Sequence, residues 1–332
     1  MRALLLVCSI SASGCATNVC IVHERVRGPD VPFGMDIERR FAADGRPLAV
    51  DERNSVFHAR SRYRYDARRR LVELHRDGDE REWSVDYRYD DAGRLVQASR
   101  RERGRDVRSV EYRYDDAHLI GVVHQADRWE LSWQGECLAR AAHFARDADR
   151  PSMLHEYVCD RDRIAEDAFT ADFLAHRWRY LFTFDDAGRI SARHLVQERD
   201  DIAATPALAQ VFHYDGDRLR AIEVGPATDG ILASEFRYDA EGRVVARTRH
   251  GTESLLGYGE RCTPTAVRSL QPTVPPRLTA PWWSGGDEWE VLPFTSPRSH
   301  ADASCTSDRA ACRSSTAARA TTCASCGRRR MR

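Results

Sequence analysis

Tyr87-Arg88-Tyr89-Asp90-Asp91-Ala92-Gly93-Arg94-Leu95 carries a complete structural unit in nine residues. Just upstream and into it, Trp83, Val85, Tyr87 and Tyr89 alternate with Ser84, Asp86 and Arg88. A period of two in aromatic and β-branched residues marks a half-buried strand. Asp90 then starts a turn by accepting backbone N–H groups ahead of it, and Gly93 supplies the positive φ that closes it. Leu95 restarts the apolar face on a return strand. The stretch reads as a β-hairpin.

The unit recurs. Phe182-Thr183-Phe184-Asp185-Asp186-Ala187-Gly188-Arg189-Ile190 and Phe236-Arg237-Tyr238-Asp239-Ala240-Glu241-Gly242-Arg243-Val244 repeat it in full. Tyr63-Arg64-Tyr65-Asp66 and Tyr112-Arg113-Tyr114-Asp115 open copies without the glycine, and Phe212-His213-Tyr214-Asp215-Gly216 a copy with a shorter turn. Degenerate copies stand at Asp44-Gly45-Arg46, Trp133-Gln134-Gly135 and Cys159-Asp160-Arg161. The nine anchors lie 19 to 30 residues apart, room for two strands of about eight residues and two turns. One hairpin is marginal alone, so consecutive hairpins must share a sheet. The expected fold is all-β, with stacked antiparallel hairpins forming an open or strongly curled sheet.

The pattern aromatic-x-Tyr-Asp-x-x-Gly-Arg-Leu resembles the Rhs/YD-repeat family over about residues 40–250. The resemblance implies hairpins coiled into a β-sheet shell, which encloses a C-terminal toxin in some members and belongs to cell-surface adhesion proteins in others. Nine repeats are few for an enclosing shell, and the Asp-Pro dipeptide of the family's release motif does not occur. No globular pattern follows the repeats. The toxin-delivery role is therefore not expected here, since fold does not imply function.

The ends of the array divide the chain further. Residues 1–14 read as a signal peptide: Arg2, then the apolar run Ala3 to Ile10, then small residues. Ala12-Ser13-Gly14-Cys15 resembles a bacterial lipobox, with Ala in place of the commoner Leu. The resemblance implies acylation of Cys15 and attachment to a membrane, firm if two or three chains are added. Residues 15–36 are expected to be a tether and entry segment, 37–250 the hairpin array, and 251–294 a Pro/Trp-rich cap around Trp282, Trp283 and Trp289. Residues 295–332 hold Arg, Ser, Ala and Cys with almost no large apolar residue and are expected to be a disordered tail.

Cys20, Cys137, Cys159 and Cys262 form an even set in the body of an exported chain, which favours disulfides. Four cysteines allow three connectivities. Cys137 with Cys159, in adjacent degenerate repeats, is the first pair; Cys20 with Cys262 would tie the two ends together. Cys323-Ala324-Ser325-Cys326 has CxxC spacing but no second pair to complete a metal site.

Composition excludes several chemistries. All 51 basic residues are Arg and balance 51 acidic ones. Without Lys there is no P-loop and no Schiff base, and zero net charge gives no argument for nucleic acid. HExxH, GxSxG and GxGxxG do not occur. No catalytic, cofactor or metal residue is assigned. The expected function is a lipid-anchored binding or structural module of the bacterial cell envelope, partnered by the membrane and by an envelope protein or glycan. The alternatives are an enzyme acting on envelope polymers through carboxylates not singled out, or an accessory partner of a larger Rhs-type toxin. If Cys15 is not acylated, the chain is secreted or periplasmic.

Overall fold

The computed structural model describes residues 19–272, apart from 30, 80–81, 117, 126, 161–162, 173–176, 200–201 and 226–230. The signal, Cys15, the Trp cluster and the tail lie outside these residues. Among the described residues twenty strands follow one another, from β1 (Cys20–Gly28) to β20 (Thr252–Tyr258). Each pairs antiparallel with the next. β1 also pairs with β20, from Val22 opposite Tyr258 to Arg27 opposite Glu253. The sheet is therefore a closed up-and-down barrel, not the open or curled sheet expected from the repeats.

Closure follows from the edges. A sheet left open would expose the unpaired N–H and C=O groups of β1 and β20, and closing the ring pairs them. The ring also takes in strands outside the expected array. β1 and β2 (Val31–Phe41) fall largely in the segment expected to be a tether, and β20 in the expected cap. Their alternation is masked by charge at inward positions, Glu24 in β1 and Arg39 in β2, which are both buried.

All nine predicted turns connect strands at one end of the barrel, the Asp-turn end. In the three full copies, and in the one at Asp66, the turn aspartate is a clamp. Asp90 accepts the Arg94 backbone N–H at 2.8 Å and its Nε at 2.7 Å. Asp66 does so with Arg70, Asp185 with Arg189 and Asp239 with Arg243. Gly93 has φ +85°, and Arg69 takes the same left-handed place at +64° in a copy without glycine. In the first repeat Ala42, not Asp44, stands where Asp90 stands, and Asp44 bonds Arg46 from inside the turn.

The clamped arginine reaches on to the neighbouring repeat. Arg70 lies over Tyr89 at 4.6 Å, Arg94 over Tyr114 at 4.9 Å and Arg189 over Tyr214 at 4.2 Å. Each ring in turn donates its hydroxyl to the first residue of the previous return strand: Tyr89 to Leu71 O at 2.8 Å, Tyr114 to Leu95 O at 2.9 Å, Tyr214 to Ile190 O at 2.9 Å. Burial pushes the Tyr89 hydroxyl up to about 12, against an opposing pull from Arg70. It remains a donor at any physiological pH. This ladder of stacked Arg and Tyr explains why aromatic, Asp and Arg recur at fixed spacing.

Two faces result. Across β4 (His58–Tyr65) to β8 (Arg105–Tyr114), Val85, Tyr87, Ala98, Val110 and Tyr112 point inward and are buried. The outward positions carry cross-strand ion pairs such as Arg64–Glu73 at 2.6 Å, Arg62–Asp77 at 3.0 Å and Arg101–Asp86 at 2.9 Å. Apolar exceptions to the outward pattern occur farther round, at Ala142, Ala168 and Val196.

Close backbone approach fixes one position without any turn. A Cβ on Gly78 would lie 2.5 Å from His58 O and 2.8 Å from Ala59 Cα, whereas one on Gly104 (φ +74°) meets nothing within 4 Å. Gly104→Ala is expected to cost about 1–2 kcal/mol through the left-handed φ alone. Gly78→Ala must push neighbouring strands apart, so its unfolding midpoint in denaturant should fall further. Equal midpoints would show that the strands yield freely there.

Acid should attack the clamps. Hydrogen bonds from Arg94, from both side chain and backbone, hold the Asp90 carboxyl below its ordinary value. For Asp239 burial pulls upward, but the bonds from Arg243 prevail and the net shift is again down. A carboxylate with a depressed folded pKa contributes stability that is present above its unfolded value, near 3.9, and lost as pH falls through the folded value. The melting temperature should therefore hold above about pH 5 and drop below about pH 4. Asp239→Asn should flatten part of that drop in a pH series of thermal melts; an unchanged slope would show that the clamp does not couple to stability.

Candidate functional site on the interior wall

Aligning the repeats on their turns shows where the interior departs from its own pattern. Three residues after the apolar residue that restarts each return strand, the side chain points inward. It is Val50, Leu74, Ala98, Val122, Ala141 and Ile222 in six repeats, but Asp167, Arg193 and Arg247 in three. Polar groups in slots that elsewhere hold core residues cost stability unless paired, so these positions carry the site argument.

Arg247 belongs to the junction of β1 and β20. It donates to Glu24 Oε1 at 2.6 Å, and Arg39 donates to Oε2 through Nε at 3.2 Å and Nη2 at 3.1 Å. Burial pulls the Glu24 carboxyl upward, but Arg39 and Arg247 outweigh it and the net shift is down. The cluster sits where the ring closes and reads as structural.

Asp167 and Arg193 belong to a second cluster, on β10 (Asp127–Gln134), β11 (Cys137–Phe144), β12 (Met153–Asp160), β13 (Arg163–Ala171), β14 (Arg177–Phe184) and β15 (Ile190–Arg199). His155 Nδ1 lies 2.8 Å from Asp167 Oδ1, both side chains almost fully buried. Register sets Asp167 opposite Tyr157 and Tyr180, and His155 opposite Phe169. Ring stacking continues the cluster along the wall: Trp129 to His143 at 4.7 Å, His155 to Phe169 at 5.4 Å, Phe169 to Tyr180 at 5.7 Å. Arg193 lies over Tyr180 at 5.0 Å. Burial pushes the Arg193 guanidinium down from its ordinary value, with Tyr180 and Asp167 opposing. A chain of aromatic faces, an acid, an imidazole and a guanidinium thus lines one sector of the interior.

Toward the rim opposite the Asp turns, Ser152 Oγ lies 2.8 Å from His143 Nδ1, and Asp127 Oδ2 lies 4.0 Å from His143 Nε2. Burial pushes the His143 imidazole down, against Asp127. The trio has the residue types of a nucleophile, a base and an orienting acid. At 4.0 Å, however, Asp127 is not a hydrogen-bond partner, and Ser152 also bonds its own hairpin at His143 O. The base–orienter bond that nucleophile activation needs is not made.

The structure joins Cys137 to Cys159 and Cys20 to Cys262 as disulfides. Cys137 takes the slot of the clamped arginine and Cys159 the slot of the aromatic ring, so this disulfide replaces one rung of the Arg–Tyr ladder. Cys20 to Cys262 ties the start of β1 to the segment after β20. There Ala266 and Val267 pack on Val22, Phe41, Val244 and Leu256. Arg243 Nη1 donates to Cys262 O at 2.8 Å, as Arg94 does to Asp115 O in the next turn. His118 stacks on Trp133 at 4.8 Å, in an arginine slot. His213 faces outward beside Glu223 at 3.3 Å. Asp90 and Asp185 are committed to their arginines. Among the described residues no three His, Cys, Asp or Glu gather as metal ligands.

The sequence reading assigned none of Glu24, Arg39, His155, Asp167, Arg193 or Arg247. For all but Glu24, whose strand follows no repeat turn, the signal was present: each breaks a slot that most repeats fill with an apolar residue, visible once the turns are aligned.

No protein-family model matches the chain, and neither does any curated protein. Among solved structures, the chain is similar to a porin-like protein from Bacteroides uniformis ATCC 8492 at 7% identity and TM-score 0.33, over 73% of this chain and 96% of that one. It is similar to the TcdB2-TccC3-Cdc42 structure at 10% identity and TM-score 0.28, over 70% of this chain but 18% of that one. TcdB2-TccC3 without its hypervariable C-terminal region gives 0.29 over 68% of this chain. At such scores neither likeness says what this chain does.

Proposed function

We propose that the protein is a lipid-anchored, water-facing β-barrel of the bacterial cell envelope that acts as a binding module through its interior wall, and that its hairpins are YD-type repeats. The observation that supports this best is the polarity of the two faces. A barrel that crosses a bilayer by its strands presents an outward apolar band about 25 Å tall and a polar interior. Here the outward positions of β4 to β8 carry ion pairs and the inward ones a core. Attachment to a membrane then falls to Cys15. The disulfides suit an oxidising compartment outside the cytoplasm.

Binding is favoured over catalysis by the carboxylates. Glu24 and the turn aspartates Asp66, Asp90, Asp185 and Asp239 are all held more acidic than usual. A general acid for cleaving a polymer needs the reverse. The half-buried rings of Trp129 and Tyr180, with the His143 imidazole against Trp129, suit a ligand with an apolar face and hydrogen-bonding edges, such as an envelope glycan.

Metabolic lipid labelling of the expressed chain beside Cys15→Ala tests the anchor. Label on the native chain and none on the variant is expected. Labelling of neither would remove the membrane from the reading and leave a secreted or periplasmic protein.

A further inference from the structure

We infer that the Asp-turn end of the barrel faces the anchoring membrane, and that the interior wall is reached from the opposite rim, away from the lipid surface. This rests on acylation of Cys15. The Asp-turn end is defined by topology: Phe41, beside the first turn, pairs with Cys20, so β1 starts at that end and runs away from it. β20 returns and finishes there at Tyr258, and the disulfide from Cys20 to Cys262 pins both strand ends together. Cys20 lies five positions after Cys15, a contour of at most about 18 Å. Most strands run seven to ten residues, and at about 3.3 Å per residue and a tilt of roughly 40° the far rim stands about 20 Å beyond the near one. A lipid at Cys15 can therefore hold only the Asp-turn end close to the headgroups.

What fills each end agrees with that placement. At the Asp-turn end, the segment carrying Cys262, Ala266 and Val267 lies against the inner face of the closure; a Cβ on Gly45 there would meet Thr265 O at 2.8 Å. The His155–Asp167 pair and the Ser152–His143 contact lie toward the other rim. The near end is not built to adhere by charge. Arginines 70, 94, 189 and 243 there pair with their own aspartates and Arg69 with Asp44, while Asp91, Asp116 and Asp186 set negative charge against the exposed Arg68. Orientation comes from the tether, and it should not change when anionic lipid is added.

The absence of Lys supplies the test, because one introduced lysine is a unique side-chain amine. Asp91→Lys marks the Asp-turn end and Arg105→Lys the opposite rim of a neighbouring strand, both at exposed positions. The full, acylated chain is labelled with an amine-reactive donor and bound to phosphatidylethanolamine vesicles bearing a headgroup acceptor. Energy transfer at position 91 should exceed that at 105 by at least twofold, with or without anionic lipid. Equal or reversed transfer from vesicle-bound chains would overturn the orientation and leave the anchor standing. Chains that fail to sediment with the vesicles would remove the anchor and the orientation with it. Circular dichroism of both variants confirms that the barrel is intact.

Discussion

Cys20→Ser/Cys262→Ser should lower stability by about 5 kcal/mol, because the lost disulfide spans 242 residues and constrains nearly the whole barrel in the unfolded state. On the same scale the Cys137–Cys159 bridge, 22 residues apart, is worth about 3 kcal/mol. For a barrel of this size 1 kcal/mol shifts the melting temperature by about 2–4 °C, so the closure variant should melt roughly 10–20 °C lower. The effect has a native-state side as well. The pairing of β1 with β20 from Val22 to Arg27 then rests on backbone bonds, the Glu24 cluster and the apolar packing of Val22 and Leu256, and fraying there exposes two strand edges at once. Reductant should bring the native chain to the temperature of the quadruple variant lacking both bridges, and hydrogen exchange should quicken first in β1 and β20. If the closure variant melts with the native protein, the ring is held by strand pairing alone and the covalent tie is incidental.

The hairpins were legible in the sequence because their determinants are local. An aspartate that clamps an arginine four residues on, a residue in the left-handed region between them and a strict alternation before them all fall within one nine-residue window, as at Asp90, Gly93 and Arg94. Closure was not legible, because it depends on one long-range pairing, Val22 with Tyr258, that no local pattern announces. It was further hidden by Glu24 and Arg39, charged residues at inward positions that are tolerated only because they neutralise each other, with Arg247, across 223 residues of chain. The interior cluster was hidden differently. His155, Asp167 and Arg193 look like unremarkable polar residues in isolation and become departures only when set against Val85, Leu74 and Ala98 in the same slots. The cysteines show the same logic: Cys137 and Cys159 replace an arginine and an aromatic ring, so a bridge stands where other repeats have a cation over a ring.

Emptying one of these polar slots should have the second large effect. Asp167→Ala removes the oxygen that His155 Nδ1 meets at 2.8 Å and one of the groups opposing the burial of Arg193. Deleting one member of a buried hydrogen-bonded pair costs about 1–3 kcal/mol, and more where the group is charged, since the other gives up that bond in the interior. Replacing all members by apolar residues of fitting shape is often neutral or stabilising by about 1–4 kcal/mol. The repeats themselves supply those residues: Val85 for His155, Leu74 for Asp167 and Val122 for Arg193. The triple variant His155→Val/Asp167→Leu/Arg193→Val should accordingly melt at or above the native temperature, while Asp167→Ala alone melts well below it. A barrel stabilised by losing the group would mean that the fold does not need it, so its retention answers to what the wall binds. The same triple variant should then lose binding to any glycan the native barrel retains. Should the triple variant instead unfold as readily as Asp167→Ala, the cluster is a structural pairing like that of Glu24, and the interior wall loses its claim as the site.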